Sequence, residues 1–191
     1  MRIKSLAVTA SLLLALVLSG VAAGAQKSSP PKTWVSAFCG SVVTWEKTVK
    51  SDTAKLNATL LTLKKGGKVN VPSVKAKLVG FLGAVVHSTD KMISQIKHVG
   101  APDVKNGSKI QSGVLSAFNQ LDTAFKQAKS SAQKLPTGSA KAFSTKAEAL
   151  AQTIQSSANR IGVAFSALDK YSTKELNDAA KNDKTCAKLG G

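Results

Sequence analysis

The sequence predicts an all-α protein: an up-down-up-down four-helix bundle with a short fifth C-terminal helix and one disulfide joining the terminal regions. Three observations lead to this prediction. Four segments of about 30 residues repeat apolar side chains at spacings of three and four, which places those side chains on one face of a helix. Short loops containing glycine or proline separate the segments. The chain has two cysteines, Cys39 and Cys186, far apart in sequence.

The first 25 residues have the three parts of a secretory signal peptide. Arg2 and Lys4 form a positive start, residues 6–18 form an apolar run, and small residues at 23–25 form a cleavage site. The apolar run is shorter than the roughly 20 residues that a membrane span needs. We therefore expect cleavage, secretion to the extracellular space or the periplasm, and no transmembrane segment in the mature chain. An uncleaved N-terminal anchor is the alternative.

The exported part divides into a flexible leader at 26–32, a helical domain at 33–187 and a disordered tail at 188–191. The leader is rich in serine and proline, which do not sustain a helix. An oxidising compartment allows a disulfide to persist. Because an even number of antiparallel helices returns the chain to the end where it began, we expect Cys39 and Cys186 to be bonded. Two separate buried thiols are the alternative.

The first two helices have clear boundaries. The first covers residues 34–63 and ends at Gly66 and Gly67, because glycine readily takes the left-handed conformation of a helix C-terminus. The second is capped by Asn70 or Ser73 and runs to about residue 99. The apolar stripe of the first helix is Val35, Phe38, Val42, Trp45, Val49, Leu56, Leu60 and Leu63.

The remaining helices follow from the same patterns. Asp103 is the expected N-cap of the third helix, although the Asn-Gly-Ser sequence at 106–108 weakens its first turn and moves the start towards Ser108. The fourth helix covers about residues 139–171. Ser172 and Glu175 have the spacing of a capping box, which predicts a fifth helix from about 173 to 182.

The sequence contains no recognisable catalytic or metal-binding motif. It has no nucleophile elbow, no zinc-binding histidine pair, no Cys-x-x-Cys and no phosphate-binding glycine loop. We therefore predict no enzymatic activity, no catalytic residues, no metal and no cofactor. An enzyme that uses scattered residues is a further hypothesis.

One apolar run, residues 78–86, is hydrophobic on every side of the second helix and contains Gly80, Phe81 and Gly83. A helix that is apolar all round is usually buried all round, and a glycine within it costs stability unless something packs close to it. Three interpretations remain open: a close helix crossing in the core, an apolar pocket for a lipid-like ligand, and a self-association face.

Positive charge is the most unusual property of the chain. Removal of Arg2 and Lys4 with the signal peptide leaves 25 of the 27 basic residues against 10 acidic ones, a net charge of +15. Arg160 is the only arginine among them, and the rest are lysine. Such a balance favours anionic partners. Because base recognition relies on the planar arginine side chain, we expect no sequence-specific binding of nucleic acid.

The lysines are distributed unevenly. Two windows, residues 53–89 and 123–147, contain eleven lysines and no acidic residue. In the predicted topology the loops inside these windows lie together at the end opposite the disulfide. We predict an anion-binding site there, with an ordinary solvated lysine-rich surface as the alternative. Its expected residues are Lys64, Lys65, Lys68, Lys134 and Lys141.

The sequence therefore favours an exported, non-enzymatic module, with a binding or structural role, that associates electrostatically with anionic cell-envelope material. The expected partners are an anionic envelope polymer or lipid head groups. The alternative is a carrier that holds a small apolar or lipid-like ligand inside the bundle, at Gly80, Phe81 and Gly83.

Overall fold

The computed structural model describes residues 27–65, 70–166 and 169–189, and it confirms the all-α prediction. The expected signal peptide lies outside the described residues. Within them the chain forms five α-helices, two short 3-10 helices and one pair of two-residue strands. The helices are α1 (Pro31–Lys65), α2 (Val71–Val99), α3 (Gly107–Gln133), α4 (Ala140–Ser166) and α5 (Lys174–Asn182).

The four long helices run up-down-up-down. α1 packs against α2, α2 against α3, and α3 against α4, while α5 packs against the start of α1. No extended contact joins the described parts of α1 and α4, and the C-terminal part of the chain packs against α1 through α5. We call the end with α5 the disulfide end. The opposite end, with the α3–α4 turn and the start of α2, is the lysine-rich end.

The N-terminus of α2 is capped as the sequence predicts. The Asn70 Oδ1 atom accepts a hydrogen bond from the Ser73 amide at 3.0 Å, and Pro72 occupies an early position where its missing N–H costs nothing. At the other end of α2, Gly100 has a φ of 82°, and its amide donates to the Lys97 carbonyl. A side chain at Gly100 would also collide with the Lys27 carbonyl oxygen, so two constraints select glycine there.

Two expected helix caps are corrected by the structure. The N-cap of α3 is Asn106 rather than Asp103, and Asn106 adopts a left-handed conformation that asparagine tolerates better than most residues. Gly107 follows because a Cβ atom there would overlap the Pro102 carbonyl oxygen. The N-cap of α5 is Thr173, whose hydroxyl accepts from the Leu176 amide at 3.4 Å. Ser172, the expected cap, instead bonds to the Asn177 side chain.

The described part of the leader is paired with the rest of the protein. Ser28–Ser29 form a strand, β1, parallel to β2 (Ala101–Pro102) in the α2–α3 connection. The Ser29 hydroxyl also donates to the Val99 carbonyl at 2.6 Å. Pro31 occupies the first position of α1, which proline tolerates, and the open α2–α3 connection offers backbone partners to the residues before it. The flexibility expected of the leader at 26–32 stays a prediction.

The core consists of two clusters. The first lies at the disulfide end and takes buried side chains from α1, α2, α3 and α5. Its buried members are Trp34, Val35, Cys39, Met92, Ile96, Ile110, Val114, Ala117, Phe118, Leu121 and Leu176. The second lies at the lysine-rich end and takes buried side chains from α2, α3 and α4, together with Leu135 in the α3–α4 turn. Its buried members are Val71, Leu82, Ala128, Ala132, Leu135, Phe143 and Leu150.

A buried polar network fixes the first cluster. The Trp34 indole N–H donates to both the Gly100 carbonyl and the Gln111 Oε1 atom at 3.0 Å, and the Gln111 amide donates to the Ile96 carbonyl at 2.9 Å. These bonds tie the start of α1 to the end of α2 and the start of α3. Because buried polar groups without partners are costly, the network holds the three helices in one register.

The predicted disulfide joins Cys39 in α1 to Cys186 after α5, with the two Cα atoms 5.0 Å apart. Asp183 supports it: its Oδ1 atom accepts from the amides of Thr185 at 2.7 Å and Cys186 at 3.0 Å. These bonds hold the pKa of Asp183 below its ordinary value of 3.8. The ionised Asp183 side chain therefore stabilises the folded protein at pH values above that ordinary pKa. This stabilisation is lost as the pH falls through the lowered pKa.

The described residues of the expected tail, 188 and 189, continue from the disulfide. Cys186–Lys188 form a 3-10 helix, and Leu189 packs against the first cluster. Residues 190 and 191 lie outside the described residues. The disulfide at Cys186 explains the packing of Leu189, because it fixes the backbone from which that side chain reaches the first cluster.

Replacing both cysteines, Cys39→Ser with Cys186→Ser, should lower the free energy of unfolding by up to about 5 kcal/mol, because the bond closes a very long loop. Urea unfolding of the oxidised and reduced forms measures this. Adding a reductant should lower the urea midpoint of the wild type towards that of the double variant. The urea midpoint of the variant should not change. A double variant that unfolds at the wild-type midpoint would contradict the role of the bond.

Replacing Trp34 with Phe should cost about 1–3 kcal/mol, because two buried acceptors lose their shared donor while an aromatic ring remains. Trp45→Phe is the matched control. It removes one bond to Thr89, whose hydroxyl still donates to the Val85 carbonyl, so its cost should be smaller. Urea midpoints compare the two variants, and an equal loss would show that the network does not contribute as described.

Candidate functional site

The lysine-rich end brings together part of the predicted anion-binding set. Lys134 and Lys141 flank the α3–α4 turn, and both side chains are exposed. Lys64 and Lys65 form the end of α1, but the structure describes only their backbone, and Lys68 lies outside the described residues. The structure therefore places two of the five predicted side chains.

The start of α2 lies beside the α3–α4 turn, as the predicted topology requires. Val71 shares the second core cluster with Leu135 and Phe143. The Lys75 ammonium group donates to the Leu135 carbonyl at 2.9 Å, which joins the first turns of α2 to the α3–α4 turn. This bond uses one lysine of the window for structure, because it gives a backbone carbonyl of the turn a hydrogen-bond partner.

The ion pairs that the structure describes lie away from this end. Lys126 contacts Asp122 at 2.6 Å and Asp90 at 3.1 Å, and its pKa is raised by the hydrogen bonds to these carboxylates. The other pairs join Lys50 to Glu46, Lys55 to Asp52 and Lys174 to Asp178. Two lysines of the predicted windows, Lys55 and Lys126, are thus already neutralised by neighbouring acids.

Lys134, Lys141 and Lys146 differ from these paired lysines. All three are exposed, and none has a hydrogen-bond or ion-pair partner among the described residues. Glu148 is the nearest acidic residue along α4, and its carboxylate accepts a hydrogen bond from the Ser144 hydroxyl. The three ammonium groups therefore keep their charge available to a ligand.

Helix electrostatics explain some of these lysines but not all. Lys134 follows the last residue of α3, where a cation stabilises the negative end of the helix dipole. Lys141 lies in the first turn of α4, where the dipole is positive and a cation is unfavourable. The helix dipole thus favours a cation at Lys134 and does not favour one at Lys141.

A cleft of about 480 Å³ opens between α3 and α4 next to the turn. Lys134 and Lys146 line it, and the buried side chains of Ala128, Leu135 and Leu150 form its floor. Sequence reasoning did not include Lys146 in the site. The spacing along α4 put Lys146 near the turn, but only the packing of α4 on α3 brings it to the same cleft as Lys134.

The structure overturns one interpretation of Gly80 and Gly83. Gly80 is exposed, and a Cβ atom there would meet nothing within 4 Å, while at Gly83 it would meet only the end of the Lys129 side chain at 3.6 Å. A close helix crossing at these glycines is therefore wrong. Phe81 is half-buried against the second cluster. The clefts described in the structure are lined by other residues, so the predicted apolar pocket stays a prediction.

The described residues contain no group of three or more His, Cys, Asp or Glu placed to hold a metal ion. His87 and His98 are both exposed on α2. Among the same residues, no helix combines the length and the apolar character that crossing a membrane requires.

No protein-family model, curated protein sequence or solved structure matches this chain. Its function therefore has to be inferred from its own geometry and charge.

Replacing Gly80 with Ala should stabilise the protein by about 0.5–1 kcal/mol, because the new methyl group meets open space and the unfolded chain loses flexibility. Gly100→Ala is the matched control and should destabilise it, since its positive φ and the Lys27 carbonyl both exclude a side chain. Urea midpoints distinguish the two. A destabilising Gly80→Ala would indicate close packing that the structure does not show.

Proposed function

We propose that this protein is an exported, non-enzymatic module that associates electrostatically with anionic cell-envelope material through its lysine-rich end. The observation that carries the proposal is the group of exposed lysines beside the α3–α4 turn, Lys134, Lys141 and Lys146, which lack acidic partners among the described residues. The proposed site also includes Lys64, Lys65 and Lys68, because in the sequence they lie at or just after the C-terminus of α1.

The position of the cations supports a role in binding. Both core clusters are closed by apolar packing and hydrogen bonds that use none of the three lysines. Solvent-exposed ion pairs contribute little to stability, so selection for stability alone gives no reason to gather unpaired lysines at one end. An anionic surface facing that end would interact with several of them at once.

The chemistry of lysine defines the kind of partner. Lysine presents a point charge on a flexible stem, whereas arginine presents a planar fork that reads a particular geometry. A lysine-based surface attracts phosphate or carboxylate groups with little selectivity, and the attraction weakens as salt screens it. Densely charged lipid head groups or an acidic wall polymer have the required chemistry.

Changing Lys64, Lys65, Lys68, Lys134 and Lys141 to Glu should abolish retention on vesicles of mixed phosphatidylglycerol and phosphatidylcholine at low salt. The wild type should bind these vesicles, fail to bind pure phosphatidylcholine, and lose affinity as the screening length falls from about 30 Å at 0.01 M salt to about 8 Å at 0.15 M. Vesicle co-sedimentation measures retention, and an immobilised anionic wall polymer provides a second surface.

The matched control carries the same change of charge at the disulfide end. It replaces five lysines that are exposed there, Lys32, Lys97, Lys105, Lys181 and Lys184, with Glu. This control should keep most of the retention, because the proposed surface is intact. Equal loss in both variants would show that only net charge matters, and retention by the first variant would remove the proposal. Circular dichroism verifies that each variant is folded.

A further inference from the structure

The cleft between α3 and α4 joins two chemistries in one place. Its lysines, Lys134 and Lys146, are exposed and lack acidic partners among the described residues. Its apolar lining consists of the exposed Pro136 and Ala149 beside the buried Ala128, Leu135 and Leu150. Its volume of about 480 Å³ lies within the range of 300–1,000 Å³ that small-molecule sites usually have. Cations beside an apolar floor match a ligand that is charged at one end and apolar at the other.

We propose that this cleft binds a single-chain anionic amphiphile, a long-chain carboxylate, with its head group near Lys134 and Lys146 and its chain along the exposed apolar lining at Pro136 and Ala149. Charge complementarity selects the anionic head group, and the hydrophobic effect favours the chain lying along the apolar side chains of the cleft. Such a ligand also explains Lys146, which neither an ion pair nor the end of a helix accounts for.

This inference rests on the proposed function, because it assigns a ligand class to the same lysine-rich end. It also moves the predicted apolar site from Gly80, Phe81 and Gly83 on α2 to the α3–α4 cleft. A carboxylate released from the envelope would reach the site when the lysine-rich end is held at an anionic surface. Binding to that surface and binding in the cleft remain separable, because cleft residues such as Ala149 and Thr153 carry no charge.

The test measures binding of palmitate to the full exported chain by isothermal titration calorimetry, below the concentration at which palmitate aggregates. Hexadecanol, which has the same chain length and no charge, is the control ligand. Ala149→Trp should weaken palmitate binding by about tenfold or more, because Ala149 is exposed on α4 and the new ring would fill the cleft. Thr153→Trp fills the same cleft from the next turn and replaces the first variant if that variant does not fold.

Lys134→Gln with Lys146→Gln should weaken palmitate binding about fivefold to tenfold and remove the preference for palmitate over hexadecanol. Lys77→Gln with Lys97→Gln removes the same charge from α2, outside the cleft, and should bind palmitate like the wild type. Absence of palmitate binding to the wild type, or unchanged binding by both tryptophan variants, would overturn the inference.

Vesicle retention distinguishes this inference from the proposed function. The tryptophan variants keep every lysine and should bind anionic vesicles normally while losing palmitate. If palmitate binding fails and lysine-dependent retention remains, only the cleft assignment is wrong. If retention does not depend on the lysines but palmitate binds in the cleft, the proposed function is wrong and the cleft assignment stands.

Discussion

The antiparallel packing of α2 against α3 is the contact on which both halves of the bundle depend. These two helices contribute buried side chains to both core clusters. Among the described residues, α1 and α5 supply only the first cluster, and α4 supplies only the second. The short connection around Gly100 and Gly107 makes this pairing possible, because both glycines allow backbone to approach where a side chain would collide. A change in that connection would disturb α1, β1 and α3 at the same time, because all three contact it.

The disulfide adds a second constraint at the same end of the bundle. It fixes the segment after α5 to α1, and α5 itself packs against α1. Leu176 of α5 completes the first cluster, and Asp183 orders the backbone that carries Cys186. Hydrogen bonds, apolar burial and the covalent bond therefore concentrate at one end. The opposite end has its own core cluster, and its exposed Lys134, Lys141 and Lys146 lack acidic partners among the described residues.

Much of the fold could be predicted because it depends on local rules. Apolar spacing located the four long helices, Asn70 was a predicted cap, and chain topology predicted the disulfide. The errors share a cause, which is that they depend on residues distant in sequence. Asn106 caps α3 because the chain must turn past Pro102, and the leader pairs with β2 over only two residues, too few to leave a periodic pattern. The sequence around Gly80 is apolar on every side of the helix, and this composition does not reveal that one side of α2 faces solvent there.

The candidate site shows the same division between local and distant information. A count of charges along the chain identified Lys134 and Lys141, since the absence of nearby acids is visible in sequence. It could not separate them from Lys126, which two acids neutralise, one of them on another helix. Nor could it find the cleft, because Lys146 and Lys134 line one cleft only after α4 packs on α3 through Phe143 and Leu150. Helix packing thus determines which lysines of a lysine-rich chain are paired and which are not. Lys126 is paired with two acids, whereas Lys134 and Lys146 have no acidic partner among the described residues.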